Sequence, residues 1–80
     1  MSLRKILSHN INYYRKVNRL TQEKLAELMD VSFQSVSKWE RGLSLPKTEK
    51  LPKLAKTLCC SIDDLFDENS NNNEQKSLGE

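Results

Sequence analysis

Gln34, Ser37, Lys38 and Arg41 share one stripe at helical spacing within VSFQSVSKWERG, residues 31–42. They offer an amide, a hydroxyl and two cations, with no carboxylate among them. Such groups donate hydrogen bonds and positive charge, but they bring no nucleophile beside a base. The stripe therefore reads either as a solvated helix face or as a surface for an acceptor-rich, negative partner. Catalysis is not indicated elsewhere either: there is no Gly-rich phosphate loop, and no metal-ligand cluster. The adjacent Cys59 and Cys60 lack the C-x-x-C spacing of a redox or zinc pair, and His9 adds no third ligand. Both cysteines read as small apolar residues closing a helix.

A face of this kind needs a scaffold, and 80 residues allow one small domain. Only two Gly and two Pro occur, which favours helices over a sheet with its frequent turns. Charge is divided unevenly. Residues 1–58 hold twelve of the thirteen Lys and Arg against five acids, whereas residues 59–80 hold one Lys against six acids. A basic body with an acidic end suits a polyanionic partner for the body. MSLRKILSHN contains no apolar run long enough for a signal peptide or a membrane helix, so the expected location is the cytoplasm.

The elements follow from periodicity and caps. Leu3, Ile6, Leu7, Ile11, Tyr14 and Val17 recur at three- and four-residue steps and predict a helix over 3–17. Thr21 caps a second helix lined by Leu25, Ala26, Leu28 and Met29 and stopping near Asp30. Ser32 caps a third, which runs to about Arg41 before Gly42 ends it, with Trp39 packed toward the loop at Leu43 and Leu45. A fourth is expected from Lys47 or Thr48 to Cys59 with Leu51, Leu54, Ala55 and Leu58 inward. Pro52 requires it either to start late or to bend. Ser61 and Asp64 form a capping-box variant opening a fifth helix, with Ile62, Leu65 and Phe66 inward. The segment 67–80 is polar and Asn-rich, and is expected to be disordered.

TQEKLAELMDVSFQSVSKWERG resembles the helix-turn-helix of the lambda-repressor and Cro-like family, the XRE-type regulators. The resemblance continues through PKTEKLPKLAKTLCCSIDDLF and back to NINYYRK, covering about residues 6–66. It implies an all-α, five-helix DNA-binding domain over residues 1–66 with the helix-turn-helix at helices two and three. In that geometry the third helix enters the major groove by its N-terminal end. Ala26 matches the family's small residue where helices two and three nearly touch, and Val36 its buried aliphatic position. Asp30 departs from the usual Gly of the turn, at modest cost, because Asp tolerates the left-handed region better than most residues.

The resemblance also assigns roles. Ser32, Phe33, Gln34, Ser37 and Lys38 would face base edges: Gln34 suits adenine, Lys38 suits guanine, and the serines let the backbone come close. Gln22, Arg41, Lys47 and Thr48 would take phosphates. Arg15 and Glu40 match an ion pair that ties the first helix to the third and orients it. Phe33 departs from the polar residue of many relatives; it could touch a thymine methyl or fold back toward Val36 and the core.

The function implied is a sequence-specific regulator of transcription that binds double-stranded DNA, of the repressor kind found in bacteria and their phages. It would bind a palindromic operator as a homodimer, without cofactor, metal or small-molecule ligand. The rival reading keeps the fold but turns the same face to a protein, as an antitoxin or interaction module; the basic body argues against it.

Overall fold

The structure, a computed structural model, describes residues 2–68. Its helices are α1 (Leu3–Val17), α2 (Gln22–Met29), α3 (Phe33–Arg41), α4 (Leu51–Thr57) and α5 (Ile62–Leu65), with a 3₁₀ turn at Thr48–Lys50 leading into α4. No strand occurs among the described residues. Ser2, Thr21, Ser32 and Ser61 cap α1, α2, α3 and α5, each side-chain oxygen accepting a backbone N–H three residues on. At α5 the Asp64 carboxylate also accepts from the Ser61 N–H at 3.0 Å, completing the capping box.

Four helices end in one way. Arg19, Asp30, Gly42 and Cys59 all have φ between 58° and 73°, just past the C-termini of α1, α2, α3 and α4. This left-handed step turns the next N–H back onto the last helical turn: Leu20 donates to the Arg15 carbonyl, Val31 to Ala26, Leu43 to Lys38 and Cys60 to Ala55. The sequence indicates the step at Asp30 and Gly42 but not at Arg19 or Cys59. Connections stay short as a result, and the α2–α3 turn is the tight one expected of a helix-turn-helix.

The core is one cluster. Leu7 and Ile11 of α1, Leu25, Ala26 and Met29 of α2, Val36 and Trp39 of α3, Leu54 and Ala55 of α4, Leu58 and Leu65 meet inside it. Tyr14, Leu51 and Phe66 are partly buried against it. α3 packs on both α1 and α2, and α5 closes the fold against α1 and α4. Asn10, fully buried, makes that closure specific. Its Nδ2 lies 2.8 Å from the Leu65 carbonyl, 3.0 Å from that of Asp67 and 3.3 Å from that of Asp64, so carbonyls at the end of α5 find a donor.

Several expectations are corrected. Leu3, Val17, Leu28 and Ile62 are exposed, because they sit at helix ends or on the edge of the apolar stripe where no neighbour covers them. α4 begins late, at Leu51, so that Pro52 falls in its first turn, where a missing N–H costs nothing. It also ends at Thr57, leaving Cys59 exposed in the left-handed step rather than inside a helix. Trp39 is a packing residue as expected, lying in the core and lining a notch with Leu45, while Leu43 and Leu45 themselves stay exposed. Just past the boundary expected at residue 66, the Asp67 carbonyl accepts a hydrogen bond from Asn10 at 3.0 Å. Residues 69–80, most of the expected disordered tail, lie outside the described residues.

Two substitutions test this description. Asp30→Gly removes the steric cost of a Cβ at φ 58° and should be neutral or stabilising by up to about 1 kcal/mol, a melting rise of roughly 4–8 °C at most. A clear fall in melting temperature would contradict the turn. Asn10→Ala strips donors from buried carbonyls and should cost about 1–3 kcal/mol, read by urea unfolding.

Candidate nucleic-acid interface

Val36 and Trp39 fix the rotation of α3 by burying its inner stripe, so the opposite face turns outward. Gln34, Lys38 and Arg41 are exposed on it, and Ser37 is half-buried beside them. Arg41 lies back along the helix, its Nε donating to the Ser37 carbonyl at 3.4 Å. Phe33, the first residue of α3, is 42% exposed and stands outside the core cluster, so its side chain has not folded back into the interior. Ser32 is occupied by its cap: its Oγ accepts from the Ser35 N–H at 3.1 Å and lies 3.0 Å from the Ser35 Oγ. Its first task is to hold the opening turn of α3.

Lys47 and Thr48 are both exposed, at the start of the 3₁₀ turn and not at the N-terminus of a long helix. Lys47 and Lys50 border a notch of about 350 Å³ shared with Ser32, Ser35, Trp39 and Leu45. The fold thus brings Lys47 beside the first turn of α3, fifteen or so positions away in sequence. Thr48 does not line that notch.

The one acid of α3 is kept off this face. Glu40 points toward α1, with its side chain only 4% exposed. Arg15 Nε donates to Glu40 Oε2 and Arg15 Nη2 to Oε1 at 3.0 Å, a bidentate pair. Asn12 Nδ2 donates to Oε1 at 2.8 Å and Gln22 Nε2 to the same oxygen at 3.0 Å. Arg15 Nη1 further holds the Leu20 carbonyl at 2.7 Å, and Ser8 Oγ donates to the Glu40 carbonyl at 2.9 Å. α1, α2 and α3 are joined at a single carboxylate. Burial by itself pushes the Glu40 carboxyl up. The hydrogen bonds from Arg15, Asn12 and Gln22, with the Arg15 charge, outweigh that and hold it below its ordinary value.

The expected Arg15–Glu40 ion pair is therefore present, but it is part of a larger network. The Gln22 side chain, expected at a phosphate, has Glu40 as its partner; the carboxylate is the nearer acceptor and fixes which way the amide NH₂ points. Asn12 was not anticipated. Its signal is the polar stripe Ser8, Asn12 and Arg15 at four- and three-residue steps along α1, directly beside the apolar stripe.

Cys59 is exposed, while Cys60 is half-buried; burial, then Asp64 and Cys59, push the Cys60 thiol up to about 11, so it stays protonated and weakly nucleophilic. Among the described residues no group of His, Cys, Asp or Glu is placed to hold a metal ion, and no helix is long and apolar enough to cross a membrane.

A tight α2–α3 turn, an α3 anchored from behind and an acid-free outer face match a known arrangement. The helix-turn-helix family model matches residues 11–65. The chain belongs to the helix-turn-helix family. Members of this family are DNA-binding transcription regulators rather than enzymes. Over 55 residues the chain is 44% identical to the HTH-type transcriptional regulator DicA of Escherichia coli K12, a match covering 69% of this chain and 41% of DicA. The chain thus spans less than half the length of that helix-turn-helix relative. It is 36% identical over 78 residues to the control protein C.SmaI of Serratia marcescens, covering 94% of this chain and 89% of that protein. Among solved helix-turn-helix structures it superposes on the clp gene regulator ClgR of Corynebacterium glutamicum with a TM-score of 0.79 at 25% identity, over 99% of this chain and 84% of ClgR.

The Glu40 network has a measurable signature. With its folded-state pKa depressed, Glu40 contributes stability that is present above the ordinary carboxyl range and is lost as the pH falls through the folded value. Acid unfolding should therefore be shallower in Glu40→Gln, which is already weaker at pH 7. Arg15→Met, which leaves the carboxylate buried and uncompensated, should cost about 3 kcal/mol at pH 7 and less than that at low pH. Equal losses at both pH values would contradict the network.

Proposed function

We propose that this chain regulates transcription by reading double-stranded DNA through α3, as a homodimer on a palindromic operator whose half-sites lie one helical turn, roughly 34 Å, apart. The observation that carries the reading is the outer face of α3. Donors and cations cover it, and the helix's one carboxylate is turned inward and neutralised by Arg15. A phosphate-lined groove repels a carboxylate and accepts everything else on that face.

On this reading Gln34 reads adenine by a bidentate contact and Lys38 donates to guanine, while Ser37 lets the backbone approach. Ser32 holds the first turn and Phe33 leads it into the groove. Arg41, Lys47 and Thr48 neutralise phosphates on the rims. Gln22 takes a phosphate through the backbone N–H groups that open α2 and through its second amide hydrogen, the first being held by Glu40. Residues 1–66 form the DNA-binding domain, acting in the cytoplasm with no cofactor or small-molecule ligand. Repression follows by steric exclusion, since a protein seated on a promoter operator blocks the polymerase.

Selection from random duplexes should enrich a palindrome. Gln34→Ala and Lys38→Ala should each cost about 1–3 kcal/mol on it and relax preference at one base pair per half-site. Arg41→Ala and Lys47→Ala should weaken all sequences alike and reduce the salt slope by about 1. Binding to a protein instead, insensitive to salt and with no duplex enriched, would favour the antitoxin or interaction-module reading. A promoter–reporter fusion carrying the enriched site reports the sign of regulation.

A further inference from the structure

We propose that Phe33 makes this protein a reader of the pyrimidine C5-methyl group, binding thymine or 5-methylcytosine at one position of each half-site and discriminating against uracil and unmodified cytosine there. The inference rests on α3 lying in the major groove and goes beyond it to the chemical group recognised.

Phe33 is the only aromatic residue on the exposed face of α3, 42% exposed and outside the core cluster, whereas Trp39 on the same helix is buried. With 42% of its surface exposed, Phe33 leaves part of its apolar burial unrealised in the isolated fold. Its chain neighbours Ser32 and Gln34, and Ser37 one turn on, are polar. Its backbone is nevertheless fixed, because the Ser32 cap holds the turn it begins. A benzyl group at the leading end of α3 has no donor or acceptor, so it cannot pair with N7, O6, O4 or an exocyclic amine. The apolar group that the major-groove wall offers is the methyl on C5 of thymine. That methyl sits on the same ring carbon in 5-methylcytosine, so a contact made by dispersion and water exclusion follows the methyl and is indifferent to the pyrimidine that carries it.

The test uses the enriched operator, with single-atom changes introduced by synthesis. Replacing each thymine in turn by uracil keeps every hydrogen-bonding group in the groove and removes only the methyl. One symmetric pair of positions should lose roughly 3–10-fold in affinity per half-site, and the remaining thymines much less. At that position cytosine should bind weakly, and 5-methylcytosine should recover a similar factor over cytosine. In Phe33→Ser the thymine–uracil ratio should collapse toward one while the Gln34 and Lys38 preferences persist; Phe33→Leu should retain part of the ratio. Circular dichroism and sedimentation check that the variants fold and keep the wild-type oligomeric state. Uracil tolerated at every position, or a ratio unchanged in Phe33→Ser, overturns the proposal while leaving the DNA-binding reading intact. So does a Phe33→Ser protein that changes oligomeric state, which would make Phe33 a subunit contact. Failure to bind any duplex overturns the DNA-binding reading and this inference with it.

Discussion

Everything outward-facing in this protein depends on a carboxylate that faces inward. Glu40 ends up between three helices, taking donors from Asn12 and Arg15 of α1 and from Gln22 of α2. A charge removed from water is costly, and a hydrophobic replacement often packs with equal or better stability. The network offers something an apolar contact does not. Its hydrogen bonds have direction, so α3 is held in rotation and in slide relative to α1 and α2 and not merely pressed against them. On the proposed reading, in which α3 presents Gln34 and Lys38 to base edges, orientation matters more than adhesion. The same arrangement removes negative charge from the outer face, so a positional constraint and an electrostatic one are met by one residue.

The scaffold behind that network is small, and its economy shows in the helix ends. α4 has seven residues and α5 four, well below the length at which an isolated helix holds together in water. They persist because α5 is capped at Ser61 and met by Asn10 at its far end, because α4 continues out of the 3₁₀ turn and closes at Cys59, and because Leu54, Ala55, Leu58 and Leu65 complete the core. Left-handed closures at Arg19, Asp30, Gly42 and Cys59 return N–H groups to carbonyls that would otherwise need water. Three of the four carry a Cβ in a region that favours Gly. Asn10 then ties the far end of α5 to α1 across more than fifty residues of chain. Orientation of the outer face of α3 thus rests on polar stitching as well as on the eleven buried residues of the cluster.

Rigid backing and a chemically mixed front belong together. Burial of the inner stripe, Val36 and Trp39, sets the rotation of α3, so the side chains opposite face outward. Exposure costs little for Gln34, Lys38 and Arg41, which water solvates well. For Phe33 it forgoes part of its burial, a cost that the proposed contact with a pyrimidine methyl would offset.

Much of this was determined locally by the sequence. Caps at Thr21, Ser32 and Ser61 are hydrogen bonds over three residues, and the helix stops at Asp30 and Gly42 follow from side-chain sterics at single positions. The acid-free stripe on α3 follows from helical spacing alone. Only the tertiary structure decided which apolar side chains stay out, Leu3, Val17, Leu28 and Ile62, because an amphipathic stripe fixes a direction and not what lies across it. Only it decided that the amide of Gln22 turns to Glu40, eighteen residues away, and that Asn10 and Asn18 serve the carbonyls of Leu65 and Leu58. An amide has donors to spare at any position; which acceptor it meets is set by how the helices dock, and docking is a property of the whole chain.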